Sequence, residues 1–342
     1  MTDPFEPSQS QAVTGHDSAK EQIAQAFKSG RMHHAWLLTG PQGIGKATLA
    51  YHAAHMILSG GANSFEHFDP ENQAARLVRA GSHPDFFVLQ RLRDEKTDLR
   101  RAMISVEQAR SLAPFLTMTS VYSFGRVALL DEVHTMNVNG QNAILKLIEE
   151  PPSHTVLFLT ATTAGALLPT IRSRCRLLPL EPLSAGQVKT ILTRLDPNAL
   201  EGVDAEKLLR FAGGSAGRAL SLLQTKALDL FEELLNILKP MPALDMARLH
   251  ALADKLARKE QGAAFEALST LFLEALSDSI TSMAQERENR FGFFFACPLD
   301  RAMEAWEDVS GIFSAAKTGN LDSRLAFIHA LTTLSQKMKE QA

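Results

Sequence analysis

The sequence predicts an α/β domain on a parallel sheet, followed by a small helical unit and an all-α C-terminal domain. Three observations carry this. Between residues 35 and 175, short and nearly all-apolar runs alternate with longer segments of helical period, the pattern of parallel strands joined by crossover helices. After Pro179 and Pro182 the strand signal disappears. From residue 184 onward, apolar residues recur at helical spacing in an Ala- and Leu-rich background.

The elements follow in order. A helix over 17–29 precedes the first strand, expected at 35–39. Further strands are expected at 86–90, 126–131 and 155–160, with a short one at 176–178, each apolar enough to be buried on both faces. Between them, helices are expected at 46–58, at 105–116, where Val106, Ala109, Leu112 and Ala113 share a stripe, and at 139–149, which Pro151 and Pro152 terminate. Segments 184–195, 204–211 and 217–230 form the helical unit. The last domain carries helices at 244–256, 263–281 and 325–338, after a boundary at Lys239-Pro240-Met241-Pro242. The expected domains are therefore 1–180, 181–238 and 239–342, and a chain of 342 residues has room for three.

Composition narrows the function classes. Thirty-five Lys and Arg against 38 Asp and Glu give a formal net charge of −3, so no global field draws the chain to nucleic acid or to an anionic membrane. Two cysteines, Cys175 and Cys297, are too few for a disulfide framework or a four-thiolate zinc site, and predict a reducing, cytoplasmic setting. Residues 1–11 lack the apolar core of a signal peptide. The uncharged stretch 151–171 contains Pro, Gly, His154 and five threonines, which argues against a membrane span.

The strongest local signal is Gly40-Pro41-Gln42-Gly43-Ile44-Gly45-Lys46-Ala47-Thr48, after an expected strand and opening an expected helix. Glycines let backbone N–H groups face phosphate oxygens, the helix N-terminus adds positive potential, and Lys46 reaches the β- and γ-phosphates. Ala47 stands where a Ser or Thr hydroxyl would bind Mg²⁺, and Thr48 lies about 100° further round the helix. Phosphate binding is thus expected, with metal binding weakened. The partner motif, Val127-Ala128-Leu129-Leu130-Asp131-Glu132, delivers two carboxylates to a strand's C-terminal end: Asp131 to hold Mg²⁺ with its water, Glu132 to orient or deprotonate an attacking water. Thr160 ends the next strand and offers a hydroxyl there. Arg174, in Ser173-Arg174-Cys175, and Arg218, after Gly217, suit a γ-phosphate in trans or in cis. Ordinary readings serve for the rest: packing or capping for His33 and His34, core or a helix interface for the Phe293–Phe295 triplet, and a solvated loop for the basic run 91–101.

Taken together, residues 40–46, Asp131-Glu132, Thr160, Ser173-Arg174-Cys175 and Gly217-Arg218 resemble an AAA+ ATPase of the clamp-loader type. The string Asn142-Ala143-Ile144-Leu145-Lys146-Leu147-Ile148-Glu149-Glu150-Pro151-Pro152 resembles the bacterial DNA polymerase III clamp-loader subunits of the delta-prime and gamma/tau kinds. That resemblance covers roughly the first two thirds of the chain and more loosely the helical remainder, which would be the collar. It implies an α/β P-loop domain, a helical lid and a hetero-oligomeric ring with gamma/tau and delta subunits. The ring uses ATP and Mg²⁺ to place a sliding clamp on primed DNA. It further implies that Arg174 acts in trans on a neighbour's ATP, that Thr160 and Arg218 are first and second sensors, and that Val13-Thr14-Gly15-His16 borders the adenine. Residues 58–83 contain no cysteine, so no zinc is expected, although His83-Pro84-Asp85 still resembles the family. Length and Ala47 favour the delta-prime kind, with any polymerase activity belonging to the assembly. A self-sufficient AAA+ ATPase, such as a gamma/tau-type motor or a helicase-loader relative, stands as the alternative. A DNA-binding adaptor is a weaker third reading, against which the net charge argues.

Overall fold

The computed structural model describes residues 6–92, 101–122, 125–241, 243–257, 262–287, 291, 293, 297–318 and 322–339. Most of the basic run 91–101, Pro242, Phe294 and Phe295 lie outside the described residues. The chain divides into two compact units, Met1–Arg218 and Ala219–Ala342.

The first unit is a five-stranded, all-parallel sheet in the order β2-β3-β4-β1-β5, formed by β1 (Ala35–Thr39), β2 (Phe86–Leu89), β3 (Arg126–Leu130), β4 (Thr155–Ala161) and β5 (Arg176–Pro179). Both faces are covered, which explains the unbroken apolar strands. Trp36, Leu38, Val127, Leu129 and Phe158 pack towards α1 (Asp17–Lys28), α2 (Lys46–Leu58) and α3 (Gln73–Arg79). Leu37, Ala128, Leu130, Leu157 and Leu159 point the other way, to α4 (Val106–Arg110), α5 (Leu112–Thr117), α6 (Val138–Glu149) and α7 (Pro169–Arg172). The helices α8 (Ala185–Leu195) and α9 (Ala205–Ala212) complete this unit, and α10 (Ala216–Gln224) begins in it. A capping box at Ser184, with Gln187 reciprocating, starts α8 where the strand pattern stops.

Several expected elements differ. The helix expected at 105–116 is two, α4 and α5, because Pro114 lacks the N–H that would continue the ladder to Arg110. The segment expected at 217–230 divides at Lys226, which adopts φ 51°, into α10 and α11 (Ala227–Leu238). The sequence pattern missed α3, held by the Asn72 side chain accepting from Ala74 and Ala75 N–H, and α7, a single turn opened by Pro169.

The second unit is helical: α11, α12 (Met246–Leu256), α13 (Gly262–Ala284), α14 (Leu299–Thr318) and α15 (Ser323–Lys339). The sequence pattern missed α14, whose heavily charged surface masks the inward stripe of Ala302, Ala305, Val309 and Phe313. Phe231, Phe272, Phe313 and Phe327 form its core, and the Trp306 indole N–H donates to Leu273 O at 3.1 Å. No helix among the described residues is long and apolar enough to cross a membrane.

Candidate functional site

The strand order assembles the site. Because β4 lies between β1 and β3, the loop after β1, Thr160 of β4 and the carboxylates after β3 share the C-terminal edge of the sheet, where parallel α/β sheets hold ligands. Thr160 sits opposite Leu38 in the β1–β4 register.

The loop from Gly40 to Gly45 takes left-handed backbone angles at Gly40 (φ 145°), Gly43 (φ 75°) and Gly45 (φ 104°), conformations that side chains resist. Five successive carbonyls of this loop each receive a donor. Lys46 Nζ donates to Gly40 O at 2.7 Å and to Pro41 O at 2.6 Å. Ser215 Oγ donates to Gln42 O at 2.8 Å, and Gly217 N donates to Gly43 O at 2.9 Å. His16 Nε2 donates to Ile44 O at 2.8 Å. The start of α10 therefore lies against the loop: a Cβ on Gly43 would stand 2.4 Å from Ser215 Oγ. His16 itself is held at φ 56° beside Gly15, where a Cβ would meet the Leu183 side chain at 2.7 Å.

Lys46 is nearly buried, and desolvation pulls its pKa below the usual lysine value, with Asp131 and Glu132 pulling the other way. Burial likewise lowers the His16 pKa, opposed by its bond to Ile44.

The two carboxylates occupy different environments. Thr160, fully buried, donates to Asp131 Oδ1 at 2.6 Å and accepts from Glu132 N at 2.8 Å. Glu132 adopts φ 57°, a strained conformation for a residue with a side chain. Its carboxylate accepts from Arg91 Nε at 2.6 Å, lies 2.6 Å from Arg91 Nη2, and accepts from Gln42 Nε2 at 3.1 Å. Arg91 is a correction: read with its run as solvated, it is only 19% exposed and sets both Nε and Nη2 on Glu132 Oε2. Its available signal was its place, two residues past the end of β2 at the same sheet edge.

Of the expected site residues, Asp131, Glu132 and Thr160 form one hydrogen-bonded group joined by Arg91 and Gln42, with Lys46 coupled to the two carboxylates electrostatically. The remaining partners of Arg174 lie elsewhere. Its Nη1 donates to Thr170 O at 3.1 Å and to Ser173 Oγ at 3.4 Å, and its Nη2 stands 3.0 Å from Glu149 Oε1, with the side chain 40% exposed. The Arg218 backbone N–H donates to Ser215 Oγ at 3.1 Å. His33 serves its own loop, its Nδ1 facing the Ala35 backbone and its ring stacked on His34. The donors around Gly40–Lys46 suit a phosphate group. For a divalent cation the same edge offers the Asp131 carboxylate, with no hydroxyl at position 47.

Residues 15–184 match the family described as "DNA polymerase III, delta subunit". A curated relative from Pseudomonas aeruginosa, DNA polymerase III subunit delta', is 40% identical over 189 residues, covering 53% of this chain and 53% of the relative. The chain thus spans about half the length of that relative. The Escherichia coli subunit delta' is 29% identical over 260 residues, covering 75% of this chain and 73% of its own. A Buchnera aphidicola DNA polymerase III subunit gamma is 30% identical over 238 residues, covering 68% of this chain and 62% of the relative. Among solved structures, a gamma subunit-related protein from Thermotoga maritima aligns with 93% of this chain and 99% of its own at TM-score 0.47 and 17% identity.

Proposed function

We propose that the chain is a delta-prime-type subunit of the clamp loader, a reading supported by the match of residues 15–184 to the DNA polymerase III delta-subunit family and by its similarity to two subunits delta'. In this reading it is a ring member that assists ATP-driven placement of a sliding clamp on primed DNA, and it offers Arg174 to the ATP of a neighbouring gamma/tau-type subunit. A delta subunit and the clamp are the other partners. Residues 181–238 act as the lid on the loop Gly40–Lys46, and 239–342 as the collar.

The observation that carries this reading is the contrast between two sites on one chain. Its own loop is engaged by Lys46, α10 and His16, lacks a hydroxyl at Ala47, and has its Glu132 paired with Arg91. Arg174, by comparison, remains 40% exposed with a planar, permanently charged head. An arginine supplied in trans stabilises the charge that develops on a transferring phosphoryl group, an effect worth about 10³–10⁵ in rate.

At its own site, Lys46 and the loop N–H groups bind the phosphates of ATP, Asp131 holds a cation weakly, and Thr160 keeps Asp131 and Glu132 oriented. Arg218 follows Gly217 at the edge of the loop. The test is Arg174→Ala in the reconstituted complex with gamma/tau-type and delta subunits. DNA-stimulated ATP hydrolysis and clamp loading are expected to fall while the ring still assembles; unchanged turnover would sink the reading. The gamma/tau-type alternative predicts turnover by the purified chain alone.

A further inference from the structure

The string from Asn142 to Pro152 marks the family, yet nothing above gives its charged end a task. In the structure that end meets Arg174. Glu149 closes α6, and its Oε1 stands 3.0 Å from Arg174 Nη2, 25 residues along the chain. The same helix holds the other end of the segment that carries the arginine. Gln141, nearly buried on the first turns of α6, accepts from Leu168 N at 2.9 Å and donates from Nε2 to Met136 O at 3.3 Å. Leu168 is the residue at which α7 begins. Two side chains of α6, eight residues or about two turns apart, therefore grip α7 at its entry and just past its exit.

We propose that Glu149 is a positioning residue for Arg174, so that α6 presents the guanidinium to a neighbouring subunit's triphosphate already oriented. This rests on the reading of Arg174 given above. The donor arithmetic supports it. A guanidinium has five N–H groups in a fixed fork. Nη1 donates to Thr170 O and Ser173 Oγ, and the Glu149 carboxylate stands 3.0 Å from Nη2 as an ion pair. Nε–H has no acceptor among the described residues, so it is available to a phosphate oxygen beside the paired Nη2. An arginine held by two hydrogen bonds and an ion pair loses less rotamer freedom when it meets phosphate than one free in water. The pair is exposed, so Glu149 adds little to folding stability. Its contribution is orientation.

The experiment is a double-mutant cycle in the reconstituted complex, reading kcat and KM for ATP of the neighbouring subunit in Glu149→Ala, Glu149→Gln, Arg174→Ala and the Glu149→Ala/Arg174→Ala pair. Glu149→Ala is expected to lower kcat by about two- to fivefold, the size of an exposed ion pair's coupling, with KM little changed. Glu149→Gln, which keeps an acceptor oxygen, is expected to recover part of that loss. The double variant is expected to match Arg174→Ala alone, since Glu149 has nothing to orient once the arginine is gone. Losses that multiply, or an unchanged kcat in Glu149→Ala beside a clear loss in Arg174→Ala, overturn the proposal while leaving the trans arginine standing. No loss in Arg174→Ala overturns both.

Discussion

The Thr160 hydroxyl stands between the side chain of Asp131 and the backbone of the residue that follows it, donating to Asp131 Oδ1 at 2.6 Å and accepting the N–H of Glu132 at 2.8 Å. One buried hydroxyl thereby holds the Asp131 carboxylate and the Glu132 backbone together. It also stabilises the left-handed turn at Glu132, which no glycine relieves. Thr160→Val keeps the shape and removes both bonds, leaving the Glu132 N–H without that acceptor. A loss of about 1–3 kcal/mol in unfolding free energy is expected, with Thr160→Ser retaining most of the stability. Chemical denaturation of the three proteins measures it.

Lys46 donates to two carbonyls of its own loop, and phosphate binding requires it to exchange those acceptors for anionic oxygens. Lys46→Ala is expected to abolish ATP binding in calorimetric titration of the purified chain. Wild-type binding is expected to change little with Mg²⁺, because position 47 brings no hydroxyl. Ala47→Ser is expected to introduce Mg²⁺ dependence, and its failure to do so would place the metal deficit elsewhere.

Arg91 and Glu132 have side chains only 19% and 12% exposed, so either one alone is a poorly solvated charge. Arg91→Ala is expected to destabilise the chain by about 2–3 kcal/mol, below the roughly 3–5 kcal/mol for breaking a fully buried pair because both side chains keep some contact with water. Arg91→Ala combined with Glu132→Gln is expected to recover part of that loss, because the stranded anion is gone. Thermal unfolding of the single and double variants decides it: additive losses would contradict a pair coupled in this way.

His52 and His55, one turn apart on α2, pack with the Phe68 ring, and both ring nitrogens of His55 lack a hydrogen-bond partner among the described residues. Burial lowers their pKa values to about 4 and about 3. The unfolded chain binds protons near pH 6.5 and the folded chain resists them, so stability is complete above pH 6.5 and drains away between 6.5 and about 3. His55→Leu removes the group that must stay neutral. It is expected to raise the unfolding free energy at pH 5 more than at pH 7.5, by about 2 kcal/mol at about 1.4 kcal/mol per pH unit below 6.5. Equal effects at both pH values would show that this histidine is not what acid attacks.

Local rules made much of this protein legible. Apolar runs gave the five strands, the glycine pattern gave the loop at 40–46, and Asp131 and Thr160 could be placed at strand ends from hydropathy alone. Where two rules competed, the local one failed. Pro114 broke a helix whose stripe looked continuous, and the charged surface of α14 hid an inward face of small residues.

The sequence by itself determined which residues end strands and which loop takes left-handed glycine angles, because side-chain alternation and glycine's missing side chain act within a few residues. Tertiary structure alone decided which of those ends meet. Strand order is set by how crossover helices pack on two faces of a sheet, and no local period encodes it. With β4 beside β3, Thr160 reaches Asp131; with β2 on the other side of β3, Arg91 closes on Glu132 from 41 residues away; and the end of α6 meets the residues after α7 where Glu149 pairs with Arg174. Each of those pairs joins residues whose own neighbours in sequence say nothing about the partner.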